Sequence, residues 1–397
     1  MLSELKGDNS NEINFEIPRS SSASTASFDR LFLRSKKAGS TFNSGRKVIC
    51  ADLFSGCGGL SLGVKTACTK LDINFQSALA IDNEINSLET YVKNFSPRQA
   101  FSGGIEGIIS GNFGDPTATF ERDLINGVKV FDFLVAGPPC QGHSNLNNHT
   151  RRNDTRNRLY DKVGRFAEIA RPTNILIENV PAIIHCNDGS FHHTYELLNR
   201  LGYSCDDGII NLLDVGVPQK RKRHVLVASL EKKIIEGSFV KSVIEKYRSD
   251  TERTVRWAIE DLERRNGLSI FESSSTLSTD NMSRIHYLFE NDMYDLPNSH
   301  RPICHQNDVH TYGAMYGRLD YDAPAQTITT GFGSPGQGRY IHPKQPRTLT
   351  PHEAARLQFF PDSFDFSNVK HRGHLARMIG NAVPMKLAYI FGLELLS

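Results

Sequence analysis

The sequence predicts an α/β chain, an open and mostly parallel sheet with crossover helices, joined to a smaller loop-rich region. Three observations carry that reading. Short apolar runs alternate with helix-compatible stretches between Lys47 and Ser229, the pattern of strands linked by crossover helices. Chemically capable residues, Asp82, Cys140 and Glu178 among them, follow the apolar runs, and open α/β sheets bind ligands at strand C-termini. Beyond residue 230 the alternation stops, and Gly, Pro, Ser, Asn, His and Tyr dominate 267–345.

Taken in order, residues 1–45 include Ser20-Ser21-Ser22-Ala23-Ser24-Thr25 and read as a disordered or loosely attached arm. Order is expected from Lys47. Val48–Phe54 is an apolar run ended by Gly56, as in a buried parallel strand. A helix over Leu60–Leu71, a strand over Phe75–Ile81 and a helix over Ile85–Phe95 follow. Val130–Ala136 is a strand stopped by Gly137-Pro138-Pro139. Next come a helix at Phe166–Ala170, a strand at Asn174–Ile177, a helix over 190–201, and strands at Ile209–Leu213 and Arg223–Ser229. Residues 231–248 and 253–266 read as helical, and Gln326–Thr330 as a short strand. Helix returns at Pro351–Phe359 and Leu387–Leu396. Thr350, Pro351 and Glu353 supply an N-cap, a first-turn proline and a first-turn acid. The expected division is an arm over 1–45, a first domain over 46–264, a second over 265–345, and a closing segment over 346–397 that returns to the first.

Composition narrows the class. The chain has 397 residues, 39% hydrophobic and 23% charged, which suits a globular protein with a sizeable core. No run approaches the roughly 20 apolar residues of a membrane helix, and the start lacks the apolar segment of a signal peptide; both favour the cytoplasm and no membrane partner. The net charge of +2 leaves nucleic-acid binding to local clusters, here Arg151–Arg158, Lys220–His224 and Lys370–Arg377. Seven cysteines, an odd number without CxxC spacing, form no disulfide framework and no paired-cysteine zinc site. His192–His193 and His371-x-x-His374 lack ligand partners at suitable spacing, so no metal is expected.

Phe54-Ser55-Gly56-Cys57-Gly58-Gly59 lies between a strand and a helix. Glycines there allow a tight turn and close approach of a ligand. The spacing FxGxGG differs from the dinucleotide pattern. With Asp82 placed to bind ribose hydroxyls, it points either to an adenosyl ligand or to a structural turn. Phe54 could stack on adenine or belong to the core.

Cys140 lies in Gly137-Pro138-Pro139-Cys140-Gln141-Gly142-His143-Ser144. The prolines fix the backbone, and a thiolate is suited to adding to an electron-poor carbon. Cys50, Cys68 and Cys186 fit the alternative of inert core thiols better than Cys140 does. Glu178, after the next strand, could bind a base edge or simply cap a helix. Alternation puts Gln219, Arg221 and Arg223 on one face, for phosphate or carbonyl binding or as a solvated charge run. Trp257 reads as core. His300, His305 and His310, interspersed with Arg301 and Asn307, read as base or phosphate contacts.

These motifs, in this order, resemble the cytosine-5 DNA methyltransferases, mostly bacterial modification enzymes. The matching segments are Asp52–Gly59, Gly137–Ser144, Glu178-Asn179-Val180, Gln219-x-Arg221-x-Arg223, Arg347–Asp362 and Gly380-Asn381-Ala382-Val383-Pro384. Asp82 stands where the family usually carries glutamate, and His143 where phenylalanine is common.

The resemblance implies a Rossmann-like sheet of the class I S-adenosylmethionine-dependent methyltransferases and a smaller target-recognition domain, roughly 265–335. It implies that Cys140 is the nucleophile, Glu178 the partner of a flipped cytosine and Arg223 its carbonyl ligand. Arg221 would support the arrangement, while Gln141 and Ser144 help a mobile loop close. Phe54, Gly56, Gly58, Asp82, Asn381 and Val383 would line the site of S-adenosyl-L-methionine. The implied partner is double-stranded DNA carrying a short specific target. A cognate restriction endonuclease would be a partner of the system only, the protein a monomer, and its location the bacterial cytoplasm and nucleoid. The alternatives are cytosine-5 methylation of transfer RNA and a non-catalytic DNA-binding protein of the same fold. The branch that acts on transfer RNA carries a Cys-Phe-Thr tripeptide that this sequence lacks.

Overall fold

A computed structural model of the chain describes residues 3–4, 25–36, 44–139, 159–185, 189–263, 267, 269–306 and 314–397. The main sheet contains β1 (Ser3–Glu4), β2 (Lys47–Leu53), β3 (Asn74–Asp82), β4 (Gln99–Ser102), β5 (Phe133–Ala136), β6 (Asn174–Asn179), β7 (Ser204–Asn211) and β9 (Lys222–Ser229). Their order is β1-β4-β3-β2-β5-β6-β9-β7. From β4 to β6 every neighbouring pair is parallel; β9 runs antiparallel to both β6 and β7. A two-residue parallel pair, β8 (Gln219–Lys220) with β10 (Ala325–Gln326), stands apart from it.

The central strands are buried throughout: Phe133–Ala136 and Asn174–Asn179 carry no exposed position. Such continuous runs arise because helices cover both faces of a parallel sheet. Two apolar cores result. One holds Leu53, Ile81, Leu134 and Ile177 with the helix Leu159–Ala170. The other holds Val135 and Leu176 with the helices Gly59–Lys70 and Lys386–Leu396. Leu319, Tyr321, Ala325, Ile328, Phe332 and Tyr340 belong to this second core. Ile285, Leu288, Leu296, Met315, Tyr316 and Ile341 form a third, smaller cluster.

Several expectations need revision. Order does not wait for Lys47: Thr25–Leu33 is a helix, and its Asp29, Phe32 and Leu33 are buried. The loop-rich region contains a twelve-residue helix, Thr279–Glu290, whose N-cap Ser278 accepts from Asn281 N–H. The helix expected over 231–248 shrinks to Phe239–Lys246; of that expected over 253–266, the described residues form the helix Val255–Ile259 and a 3-10 turn, Glu260–Leu262. The helix Arg372–Asn381 was not anticipated. Among the described residues no single helix is long and apolar enough to cross a membrane.

Candidate active site

The donor turn begins where β2 ends. Phe54, Gly56 and Gly58 all take left-handed backbone angles, with φ of 59°, 52° and 101°. Glycine adopts these angles without cost; at Phe54 the conformation is strained and must be held by its surroundings. The tie comes from Asp82 at the end of the adjacent β3. Its Oδ2 accepts from Gly56 N–H at 2.8 Å and its Oδ1 from Glu84 N–H at 2.8 Å. Burial, outweighing these two bonds, raises the Asp82 pKa. Asp82 as a residue is partly exposed, and each carboxylate oxygen keeps acceptor capacity.

The last loop closes on this turn. A Cβ on Gly59 would sit 2.4 Å from the Val383 carbonyl oxygen, so only glycine lets the two backbones meet there. Gly63 meets Met385 and Ala388 as closely, which lets the helices Gly59–Lys70 and Lys386–Leu396 pack backbone to backbone. Val383 is buried and Asn381 exposed. The two segments expected to line a donor site are thus adjacent, although more than 300 residues separate them in sequence.

On the other side of β2, β5 and β6 run parallel with Ala136 opposite Ile177. That register brings Gly137 level with Glu178, and a Cβ on Gly137 would lie 3.7 Å from Glu178 Oε2. Asn179 Nδ2 donates to the Pro138 carbonyl at 3.4 Å. Cys140, Gln141, His143 and Ser144 lie outside the described residues, as does the cluster Arg151–Arg158. The described residues of this segment end at Pro139, one position before Cys140. Glu178, with a side chain only 8% exposed, pairs with Arg223 through Arg223 Nε at 2.5 Å. Taken singly, the two residues suggested separate contacts to a base; folded, they contact one another.

Gln219, Arg221 and Arg223 share a face as alternation required, but they do different work. Arg221 is buried at 3% exposure; its guanidinium donates to the carbonyls of Ile328 at 3.0 Å and Ala382 at 3.2 Å. Gln219 is fully buried and donates to Leu357 O and Gln358 Oε1, both at 2.8 Å, while accepting from Ile328 N–H at 3.2 Å. Gln358 donates in turn to Ile379 O at 2.6 Å. This polar knot joins the basic segment, Ile328, Leu357–Gln358, and the end of the helix Arg372–Asn381 with Ala382 just beyond it. Its glutamines were visible in the motifs, but nothing in the sequence said that they touch.

A second network was missed altogether. Asp52, fully buried beneath the donor turn, accepts from Ser61 Oγ at 2.6 Å; Ser61 meets Tyr91 Oη at 2.8 Å, and Tyr91 meets Ser77 Oγ at 2.9 Å. Asp52 Oδ1 has no partner among the described residues. Burial, partly offset by the Ser61 bond, pushes the Asp52 pKa up to about 8. Burial also pushes the Cys57 and Cys205 thiols up to about 12, and Cys50 and Cys68 are sealed in the core. Thiols held neutral are poor nucleophiles. Cys186 lies outside the described residues.

Other singled-out residues have ordinary partners. Trp257 is partly buried and stacks on Phe359 at 6.4 Å between centroids. Within the Lys370–Arg377 cluster, Arg372 donates to Ile270 O and Arg377 pairs with Glu84 at 2.9 Å. His300 stacks on Tyr287 at 3.9 Å; His310 and Asn307 lie outside the described residues.

The mostly parallel sheet and its strand order have the Rossmann-like architecture of the class I methyltransferases. The solved S. pombe Dnmt2 methyltransferase shares the fold, with a TM-score of 0.58 at 17% identity over 88% of this chain and 98% of that one. The chain belongs to the C-5 cytosine-specific DNA methylases, whose family model matches residues 48–397. It is 46% identical to the Type II methyltransferase M1.BsuMI of Bacillus subtilis, over 92% of this chain and 84% of that protein. It is 30% identical to the Type II methylase M.HgiDII of Herpetosiphon aurantiacus, over 85% and 92% respectively. The enzyme is thus a DNA cytosine-5 methyltransferase.

Proposed function

We propose that the protein methylates carbon 5 of a cytosine flipped out of double-stranded DNA at a short specific sequence, with Cys140 as covalent nucleophile and S-adenosyl-L-methionine as donor. Family membership supports the reaction. The observation that carries the residue assignment is the place of Glu178, level with Gly137 on the neighbouring strand and three residues from Cys140 along that segment. The likeness to M1.BsuMI supports a modification role beside a cognate restriction endonuclease.

Bound S-adenosylmethionine supplies an electrophilic methyl group on a sulfonium. Phe54, Gly56, Gly58, Asp82, Asn381 and Val383 would hold it, and the residues fit such a group. Asp82 is a partly exposed residue whose carboxylate oxygens can accept from ribose hydroxyls, and Phe54 is only partly buried at the start of the turn. A pyrimidine stacked in a duplex hides its ring faces, so the base must be extruded. The Cys140 thiolate adds to carbon 6 while the Glu178 carboxyl group protonates ring nitrogen 3, and the ring electrons shift to carbon 5. Once carbon 5 carries the methyl group, a base removes the carbon-5 proton, the carbon–sulfur bond breaks to return the thiolate, and ring nitrogen 3 gives its proton back to Glu178. Arg223 would steady the base near its carbonyl, Arg221 would hold the surrounding segments, and Gln141 and Ser144 would close the loop. Residues 265–345 would read the target sequence.

Bisulfite sequencing of DNA from cells expressing the protein tests this reading and reports the recognised bases. Methylation at one recurring short sequence is expected, with none from C140S and none on matched RNA. Equal methylation by C140S overturns the covalent route.

A further inference from the structure

The helix Thr25–Leu33 precedes the stretch that the family model matches, yet it is bolted to elements that the site depends on. Asp29, only 3% exposed, accepts from Lys386 Nζ, and its Oδ2 lies 3.9 Å from Arg253 Nη2. Lys386 is 9% exposed and Arg253 1%. Arg253 also donates to Thr25 Oγ1 at 3.1 Å. Arg30 pairs with Glu260, and Arg34 with Asp261 at 3.0 Å. Phe32 stacks on Phe359 at 6.2 Å, and Leu33 O accepts from Asp362 N–H at 2.9 Å.

These partners are not scattered. Arg253, Glu260 and Asp261 stand just before the expected recognition region, and Phe359 and Asp362 after it. Arg356 joins the two sides, donating to Asp261 at 3.2 Å and to Asp362 at 2.6 Å. Lys386 opens the last helix, three residues beyond Val383, and Leu387 N–H bonds back to Pro384 O at 3.1 Å. The loop it anchors carries the Ala382 carbonyl bound by Arg221 and the Val383 carbonyl against Gly59.

We infer that the helix Thr25–Leu33 is a strap that positions the donor site: Asp29, by gripping Lys386, holds Ala382 and Val383 against the donor turn. The inference rests on the reading of that turn as the S-adenosylmethionine site. Asp29 touches neither donor nor base in this account; it is a positioning residue. Removing it leaves two buried cations without their shared anion, which loosens the start of the last helix.

Calorimetric titration of the full-length protein with S-adenosylmethionine tests the strap. Asp29→Ala is expected to raise the donor Kd roughly tenfold, in the range of coupling through a packed network. Its kcat at saturating donor and its KM for DNA should stay within about twofold of the parent, a split that general destabilisation does not produce. Asp29→Asn keeps an acceptor oxygen for Lys386 and should recover most of the affinity. A folded Asp29→Ala protein that binds donor like the parent overturns the inference, even if it melts earlier. If Asp29→Ala does not fold, Lys386→Met decides, since it removes the cation that Asp29 grips while Asp29 keeps Arg253: a rise in donor Kd supports the strap, and parental affinity overturns it. A parent that binds no S-adenosylmethionine overturns the donor assignment itself, and the strap's role with it.

Discussion

Gly63→Ala puts the helix contact beneath the donor site to a quantitative test. Gly63 lies inside the helix Gly59–Lys70, where alanine is favoured over glycine by about 1 kcal/mol. The tertiary structure opposes that gain. The added Cβ would lie 2.3 Å from Met385 O, 2.7 Å from Ala388 Cβ and 2.8 Å from Tyr389 N. Two of those atoms are backbone and cannot rotate away, so the helix Lys386–Leu396 must move outward by roughly 1 Å to restore ordinary contact distances. Overpacking of this kind costs about 1–3 kcal/mol and more when backbone must shift. The balance is a net loss of up to about 2 kcal/mol once the propensity gain is subtracted. Because the same helix carries the Asn381–Val383 loop, donor affinity should fall several-fold as well. Urea denaturation measures the first effect and calorimetry the second. Gly373→Ala is the control: it also lies in a helix, and its Cβ would meet nothing within 4 Å, so a gain of about 0.4–1 kcal/mol is expected. A Gly63→Ala protein as stable as Gly373→Ala would refute the close approach.

Glu178→Gln should slow methylation at least tenfold, since general acid assistance is worth about 100-fold or more, with donor Kd nearly unchanged; parental turnover would remove Glu178 from the chemistry. Arg221→Ala strips the charged donor from the Ile328 and Ala382 carbonyls and should cost about 2–4 kcal/mol in urea denaturation, whereas a surface arginine would cost little. Asp52→Asn tests the buried acid. A carboxyl group whose pKa rises from 3.8 to about 8 favours the fold while neutral, so its contribution is complete below about pH 4 and is lost as pH approaches 8. Asn cannot ionise, so the stability of the variant relative to the parent should increase between pH 5 and 8; a difference independent of pH would refute the assignment.

Much of the sheet was legible because its strands are buried on both faces and stay apolar along their length. Ile85–Phe95 was bounded correctly by its periodicity, and β2, β3, β6 and β9 to within a residue or two. Four-residue β4 was too short to carry a pattern. The helix Thr279–Glu290 buries only Ile285 and Leu288, too few to rise above the polar sequence around it, although Ser278 was a readable cap. Thr25–Leu33 was hidden for a different reason: its apolar face is nine residues long, beside a serine run, and its stability comes from Phe359, Arg253 and Lys386, more than 200 residues away.

The sequence by itself determined the fold class, the family and the order of its motifs, because buried strands and tight glycine turns demand particular residues locally. Which groups meet was decided only in three dimensions. The pairing of Glu178 with Arg223, the bonding of Asp82 to the donor turn and the seating of Asp29 between Lys386 and Arg253 depend on strand register and helix packing. Charge–charge and hydrogen-bond contacts act over a few ångströms of space, and separation along the chain carries no record of them.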